Sequence, residues 1–170
     1  MGTMLGNFLA LIMVVASALV GFVSLKASAV TFVTIAYVLW LIILLSNLFT
    51  KPSKNAPLCR LMHPKEIETY RSYHLHFWFP GAAQAYSALL NGLRVAGFAW
   101  GGLCLWKGLY WLGGASIAYF FITGGLILKL NPWLYMGTEA QKGNQVASEQ
   151  LHLIERVQAK REAYNAEQEA

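Results

Sequence analysis

Charged residues punctuate four long apolar stretches. Leu5 to Leu25 carries no charge and is rich in Leu, Val and Ala, and after Lys26-Ala27-Ser28 the run Ala29 to Thr50 is again uncharged. A third stretch runs from Ala82 to Trp106 and a fourth from Gly108 to Leu130. Each has about 20 or more apolar-dominated residues, enough helix to cross a bilayer core of about 30 Å. The pattern predicts spans at 5–25, 29–50, 82–106 and 108–130. The expected fold is an all-α integral membrane protein with four transmembrane helices in a bundle. Ala27-Ser28-Ala29 resembles a signal-peptide cleavage site. The preceding stretch has no Lys or Arg and exceeds the ~7–15 residues of a signal core, so it is expected to stay as a span.

Between the second and third spans lies a polar segment, Lys51 to His76. His63-Pro64-Lys65-Glu66 reads as a helix start, with Pro at the first helical position and an acid in the first turn. Ile67, Tyr70, His74 and Phe77 then recur at helical spacing. This predicts one amphipathic helix over 64–78, lying on the inner membrane surface until Pro80-Gly81 turns the chain. Residues 1–136 thus form the membrane domain and 137–170 a polar, partly helical tail. Gly143-Asn144 weakens any early helix in that tail. Beyond it, Leu153, Val157 and Tyr164 share a face, with Leu151 and Ile154 beside it. So thin a stripe fits either a docking helix or a frayed, solvated one.

Composition sharpens the class. Only 12% of residues are charged and 56% are hydrophobic, with a mean hydropathy of +0.45. A soluble domain carries about 25% charged residues. That excludes a water-soluble domain with one core and, despite a net charge of +5, a nucleic-acid-binding module. The basic residues instead set orientation. Lys51, Lys54, Arg60, Lys65 and Arg71 lie in the central segment, and Lys142, Arg156, Lys160 and Arg161 in the tail. The other two turns hold one each, Lys26 and Lys107. The positive-inside rule therefore places both termini and the central segment in the cytoplasm, with the spans in the plasma (bacterial inner) membrane. Phe77, Trp78, Phe79, Trp133 and Tyr135 fall at the inner interface, and Trp106, Tyr110 and Trp111 at the outer one.

Arg94 is the one charge deep within a predicted span. Twelve residues separate it from Lys107, about 18 Å of helix, too short to cross the bilayer. At 3.6 residues per turn, Gln84, Ser87, Asn91 and Arg94 share a face that continues as Gly97, Gly101 and Cys104. An Arg at mid-span costs roughly 2.5–3.5 kcal/mol, against about 0.3–0.6 gained per Leu, Ile, Phe or Val, so this helix needs neighbours. All eight acids are Glu and all lie outside the spans, leaving carbonyls and hydroxyls as partners within the chain. Gln84, Ser87, Asn91 and Arg94 are therefore the candidate site for a partner protein, a lipid or an anion. The plainer alternative is an Arg94 that snorkels to the interface.

Gly97 and Gly101 on the third span, and Gly114, Ala118 and Gly125 on the fourth, are candidate helix-packing positions; Gly6, Ala10, Ser17 and Gly21 share a side of the first. His74 and His76 are weak metal candidates, because residues two apart on a helix point about 200° apart. Cys59 and Cys104 form no C-x-x-C motif, and no phosphate-binding or dinucleotide fingerprint occurs. No catalytic residue and no cofactor are expected. The expected partners are membrane lipids and either another membrane protein or further copies of this chain. The favoured function is a non-catalytic accessory or assembly subunit of a larger membrane complex. A small homo-oligomeric transporter or channel for an anionic solute or lipid, using the polar face of the third helix, is the alternative. A membrane enzyme working through His74 and His76 stands third.

Overall fold

The computed structural model describes residues 2–169, and among them there is helix and turn but no strand. In chain order the helices are α1 (Gly2–Val23), α2 (Leu25–Phe49), α3 (Pro64–Ser72), α4 (His74–Trp78), α5 (Pro80–Trp106), α6 (Tyr110–Ile122), α7 (Gly124–Leu130), α8 (Met136–Gln141) and α9 (Gln145–Glu169). Short 3-10 turns cover Pro57–Leu61 and Pro132–Leu134. Four segments are long and apolar enough to cross a membrane: α1, α2, α5, and α6 with α7 taken together as Tyr110–Leu130. Contacts divide the chain into two compact units. One holds the residues up to Ser46 with Gly81–Ile127, the other Asn47–Pro80 with the residues from Leu128 on.

In the first unit α1 turns small residues inward and large ones outward, while Phe32, Leu90, Leu93 and Tyr119 of the other helices fill the interior. Gly6, Ala10 and Ser17 are the buried positions of α1, whereas Phe8, Leu11, Ile12, Leu19 and Phe22 are exposed. A water-soluble core would show the reverse. Close approach explains the choice. A methyl group on Gly6 would run into the Ala85 carbonyl of α5, and one on Gly97 would lie 3.0 Å from the Ser116 carbonyl oxygen of α6. Small residues at such crossings let helix backbones meet and gain dispersion contacts without a hydrophobic driving force. Polar side chains of α2 pin its contacts with α1 and α6. Ser28 Oγ donates to the Ser17 carbonyl, and Tyr37 Oη donates to the Ala115 carbonyl at 3.1 Å.

Two turns need a backbone that glycine alone adopts readily. Gly108 (φ +76°) follows α5, and the Leu109 N–H reaches back to the Cys104 carbonyl at 2.8 Å. Gly143 (φ +89°) closes α8 in the same way, with the Asn144 N–H on the Glu139 carbonyl at 3.0 Å. Both are left-handed helix caps that satisfy otherwise orphaned carbonyls. The Gly108 cap moves the start of the fourth apolar helix from residue 108 to Tyr110. Asn144 then caps α9, its Oδ1 accepting the Ala147 N–H at 3.3 Å.

The second unit has a hydrophobic core of its own. Leu58, Cys59, Met62, Tyr70, Phe77, Met136, Ala147, Ile154 and Val157 form one buried cluster. The helix expected over 64–78 is two helices, separated at Tyr73. Pro64 and Glu66 do start it as expected, the Glu66 carboxylate accepting the His63 N–H at 2.8 Å. The break lets Phe77 stack on Tyr70, with ring centroids 6.0 Å apart, while Trp78 Nε1 donates to Tyr70 Oη at 2.9 Å. Seven residues of regular helix would set those positions about 10 Å apart. Tyr70 and Phe77, expected to face a membrane surface, are instead buried in this cluster. The tail likewise docks within the chain: Ile154 and Val157 of α9 are fully buried. By their contacts the central segment and the tail form one unit.

Candidate functional site

The polar face of α5 is largely turned inward. Ser87, Gly97, Gly101 and Cys104 are buried, while Gln84, Asn91 and Arg94 are half-buried. Arg94 Nε donates to the Phe120 carbonyl at 2.8 Å, and its guanidinium carbon lies 4.1 Å from the centre of the Phe120 ring. Phe98 meets that ring edge-on, with centroids 4.6 Å apart. A cation over an aromatic face gains about 0.5–2 kcal/mol, most when water is excluded.

The Phe120 carbonyl lies just before the interruption that separates α6 from α7. Thr123, fully buried, marks the break; its hydroxyl donates to the Tyr119 carbonyl at 2.6 Å and its N–H reaches the same oxygen at 3.2 Å. Gly124 follows, and a side chain there would begin 3.5 Å from Arg94 Nη2. Thus a break in one helix, with a glycine after it, makes the seat for a cation on another. Guanidinium carries five N–H donors. The contacts that hold Arg94 here, a carbonyl and a ring, are neutral, and among the described residues no carboxylate pairs with it.

Three buried hydroxyls in this unit, Ser87 Oγ, Ser116 Oγ and Tyr119 Oη, have no hydrogen-bond partner among the described residues. Tyr119 is within electrostatic reach of Arg94, and its ring lies 5.6 Å from that of Tyr37. A buried hydroxyl without a partner costs about 1–3 kcal/mol. Arg94 therefore has N–H groups beyond the one given to the Phe120 carbonyl, beside a buried Tyr119 hydroxyl that has no partner among the described residues.

The packing candidates separate into two pairs. Gly97 and Gly101 lie in the α5–α6 contact, where a methyl group on Gly101 would come within 2.6 Å of Ile117 Cγ1. Gly114 and Ala118 are exposed on the opposite side of α6, and Gly113 is the glycine that meets α5. Sequence reading missed Phe120 and Gly124. The Gly124-Gly125 pair carried a signal, but a carbonyl acceptor is supplied by every residue and marks none.

His74 and His76 have separate partners. His74 Nδ1 lies 3.0 Å from the Arg71 carbonyl, so it carries the proton, and Nε2 then accepts from Thr50 Oγ1 at 2.9 Å. Burial pushes the imidazole below its ordinary value of 6.5; the Arg71 carbonyl opposes this, and Lys51 and Lys129 add to it. His76 Nδ1 faces the Leu130 carbonyl at 3.3 Å and its ring lies 4.9 Å from that of Trp133. Among the described residues no group of three His, Cys, Asp or Glu could hold a metal ion. The sequence and structure match no known family, no curated protein and no solved structure.

Proposed function

We propose that this chain is a multi-pass membrane protein acting as a non-catalytic accessory or assembly subunit of a larger membrane complex. Its four apolar segments pack as a bundle in the plasma (bacterial inner) membrane, with both termini and the central segment in the cytoplasm. The large apolar residues exposed along the spans, such as Leu11, Ile12 and Leu19 of α1, Leu41 and Ile42 of α2 and Val95 and Phe98 of α5, support insertion. The exposed aromatics at the α5–α6 turn, Trp106 at 85% and Trp111 at 93%, suit an interfacial belt.

The observation that carries the reading is Arg94, a cation in the middle of an apolar helix held by a carbonyl and a ring. A charge in hydrocarbon is stabilised far better by a carboxylate or phosphate than by neutral dipoles. With every acid of the chain outside the spans, that anion comes from elsewhere. An acidic residue on a partner helix is the form an assembly subunit would use. The test compares Arg94→Leu with Arg94→Lys in native membranes. Leu should insert at least as well as wild type yet lose the larger assembly on native gels. Lys, which keeps charge without the planar fork, should fall between. An assembly unchanged by Leu refutes the proposal.

A second reading has its own support. Gln84 and Asn91 are half-buried on the face that leads to Arg94. A path for an anionic solute or lipid along that face would make the chain a small transporter or channel. Anion flux into vesicles holding the purified protein alone, abolished by Arg94→Leu, would favour it over the assembly role.

A further inference from the structure

Outside the spans, a groove of about 470 Å³ opens in the second unit between the segment after α2 and the face of α3. Lys51, Lys54, Arg71 and Ser72 line it together with the apolar Ile67. Glu68 is the one acid of the lining, so three cations face one carboxylate. Two features distinguish this from a scatter of surface lysines. Arg71 is anchored: its Nε donates to the Pro52 carbonyl at 2.8 Å, which fixes the guanidinium plane and leaves the terminal N–H groups for another acceptor. Lys51 is placed by the chain itself, two residues beyond Phe49, where an apolar helix long enough to span a membrane ends.

We propose that this groove binds a phosphate group, that of an anionic phospholipid at the end of the second span. Arginine suits phosphate because its parallel N–H groups match two oxygens, and lysine adds point charge. Basic pockets next to spans take lipid headgroups for this reason. Ile67 would meet the glycerol carbons of a lipid, a contact that free phosphate does not use. The groove is independent of Arg94, so either proposal can fail alone.

The experiment uses the full chain in neutral detergent, titrated with phosphatidylglycerol, phosphatidylcholine or sodium phosphate, with bound species counted by native mass spectrometry. Phosphatidylglycerol should be retained well above phosphatidylcholine. Lys51→Gln with Lys54→Gln, both exposed side chains, should weaken that retention at least about ten-fold. Lys26→Gln with Lys107→Gln removes the same charge elsewhere and should leave it intact. Sodium phosphate that binds alone and displaces the lipid would keep the site and make free phosphate its ligand. Equal retention of the two lipids without phosphate binding, or equal losses in the two double variants, would overturn the proposal.

Discussion

Glu66 Oε2 and Lys160 Nζ lie 2.7 Å apart although 94 residues separate them in sequence. Glu66 is buried, and its second oxygen faces Arg156 Nε at 4.0 Å. One carboxylate therefore caps α3 through the His63 N–H and ties α3 to α9. Replacing it by Gln should keep the cap but leave both cations without a counter-charge. We expect Glu66→Gln to destabilise the second unit by about 1–3 kcal/mol, read as a lower midpoint of α9 exposure to protease. Lys160 is itself 40% exposed on its side chain, so Lys160→Gln should cost less.

The same unit should weaken in acid in two stages. Burial holds the His74 and His76 imidazoles below 6.5, so the unfolded chain takes up protons first as pH falls. Their contribution is complete above about pH 6.5 and declines below it. Glu66 is held below its ordinary 4.5, chiefly by its hydrogen bond with Lys160, against burial. Its contribution is present above pH 4.5 and is lost as pH falls through its folded value. The protection of α9 amides against hydrogen exchange, measured relative to the unfolded chain at each pH, should therefore fall first below about pH 6.5 and again below about 4.5. His74→Gln should remove part of the first stage and none of the second.

Orientation can be read with single cysteines, and the choice of position matters. The native Cys59 is a poor reporter: it is 2% exposed and burial pushes its thiol up, only partly offset by Arg71. Asn55 and Lys107 are exposed. In a background where Cys59 and Cys104 are Ser, Lys107→Cys should react with an impermeant maleimide in intact cells. Asn55→Cys should react only after the membrane is opened. The opposite pattern would invert the proposed topology.

The long elements were legible because their signal is local and repeated. Uncharged runs of some 20 residues, Pro64 with Glu66, and the helix-weakening Gly143-Asn144 each act within a turn or two of helix. Gly108 is different: the apolar pattern starts a span there and does not show the turn it makes. What was illegible depends on distant residues. The break at Tyr73 follows from Phe77 stacking on Tyr70 in a core completed by Ile154 and Val157, about 80 residues away. The burial of those two positions on α9 was likewise undecidable from so thin a stripe. Arg94 stood out as a charge in apolar surroundings, and its polar face was visible by periodicity. Its seat was not, because a backbone carbonyl and a glycine carry no chemical signature.

That seat yields the last prediction. Phe120 serves Arg94 twice, through its carbonyl and through its ring, and substitution can separate the two. Phe120→Leu keeps the carbonyl and most of the apolar volume while removing the π face. Gly124→Ala adds a methyl at ordinary contact distance, 3.5 Å from Arg94 Nη2, and should be tolerated; Gly124→Leu extends further and should displace the guanidinium. A seated Arg94 should therefore lose about 0.5–2 kcal/mol in Phe120→Leu. If an external anion supplies most of its stabilisation, the larger assembly should survive Phe120→Leu, weaken in Gly124→Leu and disappear in Arg94→Leu. If instead the ring is the main counterpart, Phe120→Leu should disrupt the assembly as fully as Arg94→Leu. Native gels of the three variants beside Gly124→Ala decide between the two, because only the first outcome requires a partner that brings its own negative charge.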